Sequence, residues 1–473
     1  MDSYSKDLIE SFCLEIIANS NKIIKDAKKI SVHDFSSNSS LKYINTLSNF
    51  AEAIQHATKA VYKQINWSNS KYIDNNFRIL KRLKESVKFL STNLKYIEDS
   101  KMSRVPWGLS SPLQKLAESV VPDANVILYQ QWDYNYSIIT SDINEYIANK
   151  LSELEIYIPQ ELYESILQEL SKPLYLISFP YLEKNNILQY SLLGHEVGHL
   201  YADKILKSID IKKRIFNDKN LVSILSTTVV SKPQALSIIE DRWQRIFKEL
   251  LSDVVATVFF GPAMLFSMLE FSLQQDIDTV PSPETGFYPP WRARLRICHK
   301  MVLLLIPHFN SLSNGSTLLH SDKMKERIDE ISNIISETND IENMKKNKNI
   351  FDIFSNAEQY IESIFSQIIK DLGKDRLDEK TFFSHVDTLS QRLSNGIPPN
   401  IIDDLDINTN ATLCEIINAS WKYRISWESK IFDDDGEFNE EYLSERKKLN
   451  QLTNKAIEYS DLANKYKKFK EDI

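Results

Sequence analysis

The sequence predicts an α+β protein that is predominantly α-helical, with a small β-sheet in its central part and helical regions on both sides. Three observations support this prediction. Apolar residues recur at helical spacing through both ends of the chain. Only nine Gly and 15 Pro occur in 473 residues, so few positions interrupt a helix. Short runs rich in β-branched and aromatic residues are confined to the centre.

Composition divides the chain into three expected regions: helical at 1–103, central at 104–310 and helical again at 311–473. Helices are predicted in the first region at 8–29, 40–65 and 75–97, separated by polar stretches rich in Ser and Asn. Those of the last region are predicted at 324–337, 350–372, 381–393, 411–421 and 440–469. Three strands, which would form the sheet, are predicted in the central region at 126–129, 136–140 and 174–178.

The acidic segment D-D-D-G-E at 433–437 is predicted to be a turn before the last helix. Its Gly could stand at the sixth position of a calcium-binding loop. That alignment, however, would place Ile431 at the first position, where a carboxylate is required.

The most informative stretch is G-H-E-V-G-H at 194–199, which contains an H-E-x-x-H pattern. Residues four apart on an α-helix lie on adjacent turns, about 40° apart around the axis. His195 and His199 would therefore reach one metal ion, and Glu196 would flank it as a general base. The pattern is typical of hydrolytic zinc sites. The alternative is a helix with two ordinary histidines and a solvated Glu.

Two of the chain's nine glycines, Gly194 and Gly198, fall in this predicted helix. Each costs about 1 kcal/mol relative to Ala in a helix interior. We therefore expect another segment to approach closely here, near the metal.

A third ligand is expected in the segment F-K-E-L-L-S-D-V-V-A at 247–256. Glu249 and Asp253 lie four residues apart in a strongly apolar helical stretch, where a carboxylate needs a cationic partner. The expected arrangement has Glu249 as the third ligand, while Asp253 accepts a hydrogen bond from the free N–H of a ligand His. The alternative has Glu249 on a solvated face and Asp253 as a helix cap.

Other titratable residues are weaker candidates. Glu240 and Asp241 lie beside Arg242 and Arg245, so they are expected to form surface ion pairs. His299 lies in a Leu-rich helix, where an ordinary His is more common than a ligand. A di-iron carboxylate site is excluded, because it needs a second E-x-x-H on another helix and none occurs.

The H-E-x-x-H pattern followed about 50 residues later by E-x-x-x-D resembles the gluzincin zinc metallopeptidases. Residues 288–295 read Y-P-P-W-R-A-R-L. They are similar to the H-P-P-x-x-x-R-[IL] segment of the CaaX prenyl endopeptidases and related heat-shock membrane proteases. The resemblance covers roughly residues 190–300.

This resemblance implies a zincin-like metallopeptidase core, with one Zn²⁺ per chain bound by His195, His199 and Glu249. It also implies that Glu196 is the general base and that Arg294 matches the arginine of the family. In zincin-like folds the sheet lies over the active-site helix, and its edge strand can pair with an extended peptide.

Tyr288 departs from the family pattern, which usually has His at this position. A Tyr hydroxyl keeps its proton at neutral pH, so it can donate a hydrogen bond to an oxyanion. Alternatively, Tyr288 packs against Pro289. Arg294 is expected to brace either Glu249 or Tyr288.

The membrane spans of the resembled proteases are not expected here. The most apolar run, 254–273, contains Gly261, Pro262 and Glu270, so it is predicted to be a broken buried helix. The N-terminus lacks the basic and apolar parts of a secretory signal. Three widely spaced cysteines predict no disulfide framework and no Cys-based zinc site. We expect a soluble, cytoplasmic protein.

Charge argues against nucleic-acid binding, since 57 Lys and Arg against 65 Asp and Glu give a net charge of −8. The expected function is zinc-dependent hydrolysis of a protein or peptide substrate. Two alternatives remain: a catalytically silent scaffold or regulatory protein that binds a protein partner through its helical flanks, and a protease activated only in a stress, toxin or phage-defence system.

Overall fold

The computed structural model describes residues 6–35, 38–139, 143–227, 231–273, 277, 288–307, 323–336, 348–372, 379–404, 407–427, 431 and 439–471. Over these residues the protein is predominantly helical with two small sheets. The predicted fold class, α+β with mostly helix, is confirmed at this level. The turn predicted at 433–437 lies outside the described residues.

The chain divides into two compact units. The first comprises Met1–Gln114 and Pro122–Lys184, and the second Lys115–Val121 and Asn185–Ile473. The three regions predicted from composition stay a prediction, because compactness does not show which segments fold alone.

The first unit is built on the three predicted N-terminal helices. Helix α3 begins five residues before its predicted start because the Asn69 side chain caps it, accepting a hydrogen bond from the backbone N–H of Lys71. The α-helices that lie in or begin in this unit are α1 (Lys6–Lys29), α2 (Asn38–Lys63), α3 (Ser70–Asp99), α4 (Ser110–Val120), α5 (Ile143–Ser152) and α6 (Gln160–Glu169). Fully buried side chains such as Leu47, Phe50 and Leu80 form its core.

The three predicted strands are also confirmed, as β1 (Asn125–Gln131), β2 (Ser137–Ile139) and β3 (Leu174–Pro180). Strand β3 is central and buried along its whole length. It pairs with β1 in parallel and with β2 in antiparallel orientation. Both β1 and β2 are therefore edge strands. The sheet belongs to the first unit, so its predicted place over the H-E-x-x-H helix stays a prediction.

The second unit contains the segments with the proposed chemistry. Its helices up to residue 305 are α7 (Leu192–Leu206), α8 (Ile211–Asn217), α9 (Lys219–Thr227), α10 (Lys232–Phe260), α11 (Pro262–Ser272) and α12 (Trp291–Leu305). Gly261 separates α10 from α11 with a positive φ of 55°, and Pro262 starts the next helix. This confirms the predicted broken helix. No helix in the described part of the chain is both long and apolar enough to span a membrane.

The described residues of the C-terminal part of this unit follow the predicted pattern with two differences. Its helices are α13 (Lys323–Ser336), α14 (Lys348–Ser363), α15 (Phe365–Leu372), α16 (Glu379–Ser394), α17 (Leu413–Ile425) and α18 (Glu440–Glu471). The helix predicted at 350–372 is two helices, α14 and α15. A hairpin of β4 (Ile401–Asp404) and β5 (Ile407–Asn410) was not predicted. Thr412 and Glu415 form a capping box that fixes the start of α17.

Candidate metal centre

Helix α7 carries the H-E-x-x-H residues into the interior of the second unit. His195 is 8% exposed and Glu196 is 5% exposed. Apolar residues surround these polar positions along the helix, including Leu193, Val197 and Leu200, all of which are buried. The sequence therefore places the polar groups where water is largely excluded.

The two glycines of α7 face α10, as the predicted close approach requires. A Cβ atom at Gly198 would lie 2.7 Å from the Cα atom of Ser252, and one at Gly194 would lie 2.8 Å from the ring of Phe260. Real Cβ atoms do not approach other atoms so closely. Glycine thus allows α7 and α10 to pack almost backbone to backbone, which brings the acids of α10 beside the histidines of α7.

His195, His199 and Glu249 come together as predicted. His195 Nε2 lies 3.4 Å from Glu249 Oε2, and His199 Nε2 lies 3.8 Å from Glu249 Oε1. One ligand atom from each residue lies within 4.8 Å of the other two. Among the described residues, no other set of three His, Cys, Asp or Glu side chains is grouped in this way. The cluster could hold one metal ion.

Asp253 contacts His195 at Nδ1, the ring nitrogen opposite to the one near Glu249. Its side chain is fully buried, and its Oδ1 lies 2.7 Å from His195 Nδ1. With Nδ1–H donating to this carboxylate, Nε2 is directed towards Glu249. Burial alone would raise the pKa of Asp253, but the charges of Arg294 and His195 outweigh it and hold the pKa at about 2.

Arg294 of α12 forms a bidentate ion pair with Asp253. Its Nε lies 2.7 Å from Oδ2 and its Nη2 lies 2.7 Å from Oδ1. The same Nη2 lies 3.7 Å from Glu249 Oε2. We expected Arg294 to brace Glu249 or Tyr288; its main partner is instead Asp253, and Glu249 is the more distant contact. Arg294, Asp253 and His195 therefore form one chain of charge-assisted contacts.

The protonation preferences of the two histidines differ. Burial lowers the pKa of His199 to about 3, with the charge of His195 as a second cause. Burial also acts to lower the pKa of His195, but the facing carboxylates of Asp253 and Glu249 outweigh it and raise the pKa to about 10. The hydrogen bond and charge of His195, followed by the charge of Arg294, lower the pKa of Glu249 against the effect of its own burial. The carboxylates of Asp253 and Glu249 thus stabilise positive charge in the buried cluster.

Glu196 lies beside the cluster without belonging to it. Burial, reinforced by the negative charge of Glu249, raises its pKa to about 7. Within the described part of the chain, no group donates a hydrogen bond to its carboxylate. A carboxyl group with a pKa near neutrality can both accept and return a proton.

Tyr288 is 54% exposed, so its side chain is open to solvent. The negative charge of Glu249, followed by burial, raises its pKa. The hydroxyl therefore keeps its proton and can act as a donor near Glu249. Whether it is catalytic stays a prediction.

Ser252 is a site residue that sequence reasoning missed. Its fully buried hydroxyl lies 3.1 Å from His199 Nδ1. The available signal was its position immediately before Asp253, on the helix that was predicted to supply the third ligand.

The weaker candidates lie outside the cluster. Asp241 and Arg245 form an exposed ion pair, as predicted, with side chains 54% and 58% accessible. His299 is buried on α12 and is not part of the cluster. Two imidazoles and one carboxylate, held by groups around them, match the three protein ligands of catalytic zinc sites. The residues present therefore fit a zinc ion.

Replacing Asp253 tests its holding role. We expect Asp253→Asn to weaken zinc affinity by about 10-fold to 100-fold, because His195 loses a charged acceptor. The free energy of unfolding should fall by about 3–5 kcal/mol, since the buried Arg294 loses its bidentate partner and keeps only the more distant carboxylate of Glu249. Competition with a chelating dye and denaturant titration measure the two effects. Asp241→Asn, the same change on an exposed part of α10, should alter neither appreciably. Wild-type affinity in Asp253→Asn would rule out the role.

No protein-family model matches the chain, and neither a curated protein nor a solved structure is significantly similar to it. The resemblance to gluzincins therefore depends on the three sequence motifs and on the cluster described above.

Proposed function

We propose that the protein is a zinc metallopeptidase of the gluzincin type, which hydrolyses peptide bonds in a protein or peptide substrate. The observation that carries this proposal is the meeting of His195, His199 and Glu249 from two helices, with Glu196 beside them. A hydrolytic metal site needs three groups that bind the ion and a nearby carboxyl group whose pKa lies near neutrality. These four residues would supply both.

The ligands in this proposal are His195 and His199, each through Nε2, and the carboxylate of Glu249. When bound, Zn²⁺ supplies Lewis acidity, lowering the pKa of water and polarising a carbonyl group. Hydrogen bonds at Nδ1 orient both imidazoles with Nε2 towards the site, and His195 would release its Nε2 proton on binding the ion.

In this proposal Glu196 carries out the proton transfers. Its carboxylate accepts a proton from the attacking water and returns it to the nitrogen of the leaving peptide. The hydroxyl of Tyr288 donates a hydrogen bond to the oxygen that becomes negative during the attack. Arg294 contributes indirectly by holding Asp253, which holds His195.

Metal removal tests the proposal. Zinc-loaded protein is expected to cleave members of a mixture of unstructured peptides, to lose this activity on chelation and to regain it when Zn²⁺ is restored. Mg²⁺ should not restore it, because that ion prefers oxygen ligands. Mass spectrometry of the peptides measures the cleavage. A zinc-loaded protein that cleaves none of them would favour the scaffold alternative, and cleavage that survives chelation would contradict the mechanism.

A further inference from the structure

The two histidines of the cluster have hydrogen-bonding partners of different kinds. His195 Nδ1 faces the carboxylate of Asp253, which accepts hydrogen bonds only. His199 Nδ1 faces the hydroxyl of Ser252 at 3.1 Å, and a hydroxyl can either accept or donate. Among the described residues, no other side chain contacts His199 Nδ1 within hydrogen-bonding distance. The state of the His199 ring is therefore linked to Ser252.

A ligating imidazole must present a lone pair, so its other nitrogen must carry the proton. For His199 to ligate through Nε2, Nδ1 must carry the hydrogen. A group that accepts a hydrogen bond at Nδ1 favours this tautomer and also fixes the plane of the ring. The Ser252 hydroxyl favours this tautomer when it accepts, and its position 3.1 Å from Nδ1 suits it to fix the plane of the ring.

The backbone of α10 is close enough for this contact because of Gly198. A Cβ atom there would lie 2.7 Å from both the Cα atom and the carbonyl oxygen of Ser252. Any larger residue at 198 would push the helices apart and withdraw the hydroxyl from the neighbouring His199. The glycine of the motif and the serine of α10 thus form one packing unit.

We propose that Ser252 is a positioning residue for His199, whose Oγ accepts a hydrogen bond from Nδ1–H and holds Nε2 towards Glu249. As far as it concerns metal affinity, the inference rests on the proposed function. The tautomer of His199 can be observed without metal, so failure of the positioning role can be distinguished from failure of the proposed function.

The test compares Ser252→Ala with Ser420→Ala. Ser420 is an equally buried helical serine of the same unit, and its hydroxyl donates to the carbonyl oxygen of Ile416. In metal-free protein, ¹⁵N NMR of the imidazoles should show His199 protonated at Nδ1 in the wild type. In Ser252→Ala the tautomer of His199 protonated at Nε2 should become more populated. Zinc affinity should fall by about 10-fold, the lower end of the range for residues that hydrogen-bond to a metal-binding histidine. Ser420→Ala should change neither.

The outcomes separate the two proposals. An unchanged His199 tautomer in Ser252→Ala would overturn the positioning role, even if the wild type binds zinc tightly. A wild type that binds no zinc would overturn the proposed function, while the shift of the tautomer in Ser252→Ala would still support the positioning role. Equal effects of Ser252→Ala and Ser420→Ala would show a general loss of packing and would also overturn it.

Discussion

Glu196→Gln is expected to keep the metal and to lower the kcat of peptide hydrolysis by about 10²-fold to 10⁴-fold, the usual contribution of a general acid–base group. Gln has nearly the same shape but cannot accept a proton. Glu196 is not part of the His195, His199 and Glu249 cluster, so its replacement removes no ligand. The measurement is kcat on a cleaved peptide, together with elemental analysis of the same samples.

The matched control is Glu240→Gln, the same change at a position on α10 outside the cluster, which should retain wild-type kcat. Wild-type hydrolysis in Glu196→Gln would contradict the role of Glu196 as a base. Loss of metal from that variant would instead show that Glu196 is a ligand.

The second large effect is expected from the double variant His195→Ala/His199→Ala, which removes two of the three ligands. Zinc binding should fall below detection in a competition titration, since a single buried carboxylate does not retain the ion against a chelating dye. Hydrolysis should fall with it.

The control for this variant is His299→Ala, which removes a buried histidine from α12 in the same unit. It should bind zinc as the wild type does. Equal zinc affinity in the double variant and the wild type would place the metal elsewhere.

The fold was predictable wherever local pattern determines local structure. Helices α1 to α3 and all three strands of the first sheet follow from hydrophobic periodicity and β-branched runs. The hairpin of β4 and β5 was missed because these strands contain Asp403, Asp404, Asn408 and Asn410. Asp and Asn are depleted in strands and are typical of turns.

The candidate site was predictable to the extent that its residues share a helical face. The i, i+4 spacing of His195 and His199, and of Glu249 and Asp253, identifies two pairs that each point in one direction. The cost of two glycines in α7 indicated a close neighbour.

The contacts made by Arg294 and Ser252 could not be predicted in the same way. Arg294 reaches Asp253 across 41 residues of sequence, and Ser252 reaches His199 across 53. Both contacts depend on how α7, α10 and α12 pack, and no local pattern encodes that packing. The E-x-x-x-D motif shows where a carboxylate lies, whereas the packing of the three helices determines its partner.

The measurement that tests the central claim most directly is the zinc content of the purified wild-type protein. It would be determined by elemental analysis after loosely bound metal has been removed and zinc has been supplied. The account predicts about one zinc per chain, absent from His195→Ala/His199→Ala. A well-folded wild type that holds no zinc after this treatment would contradict it.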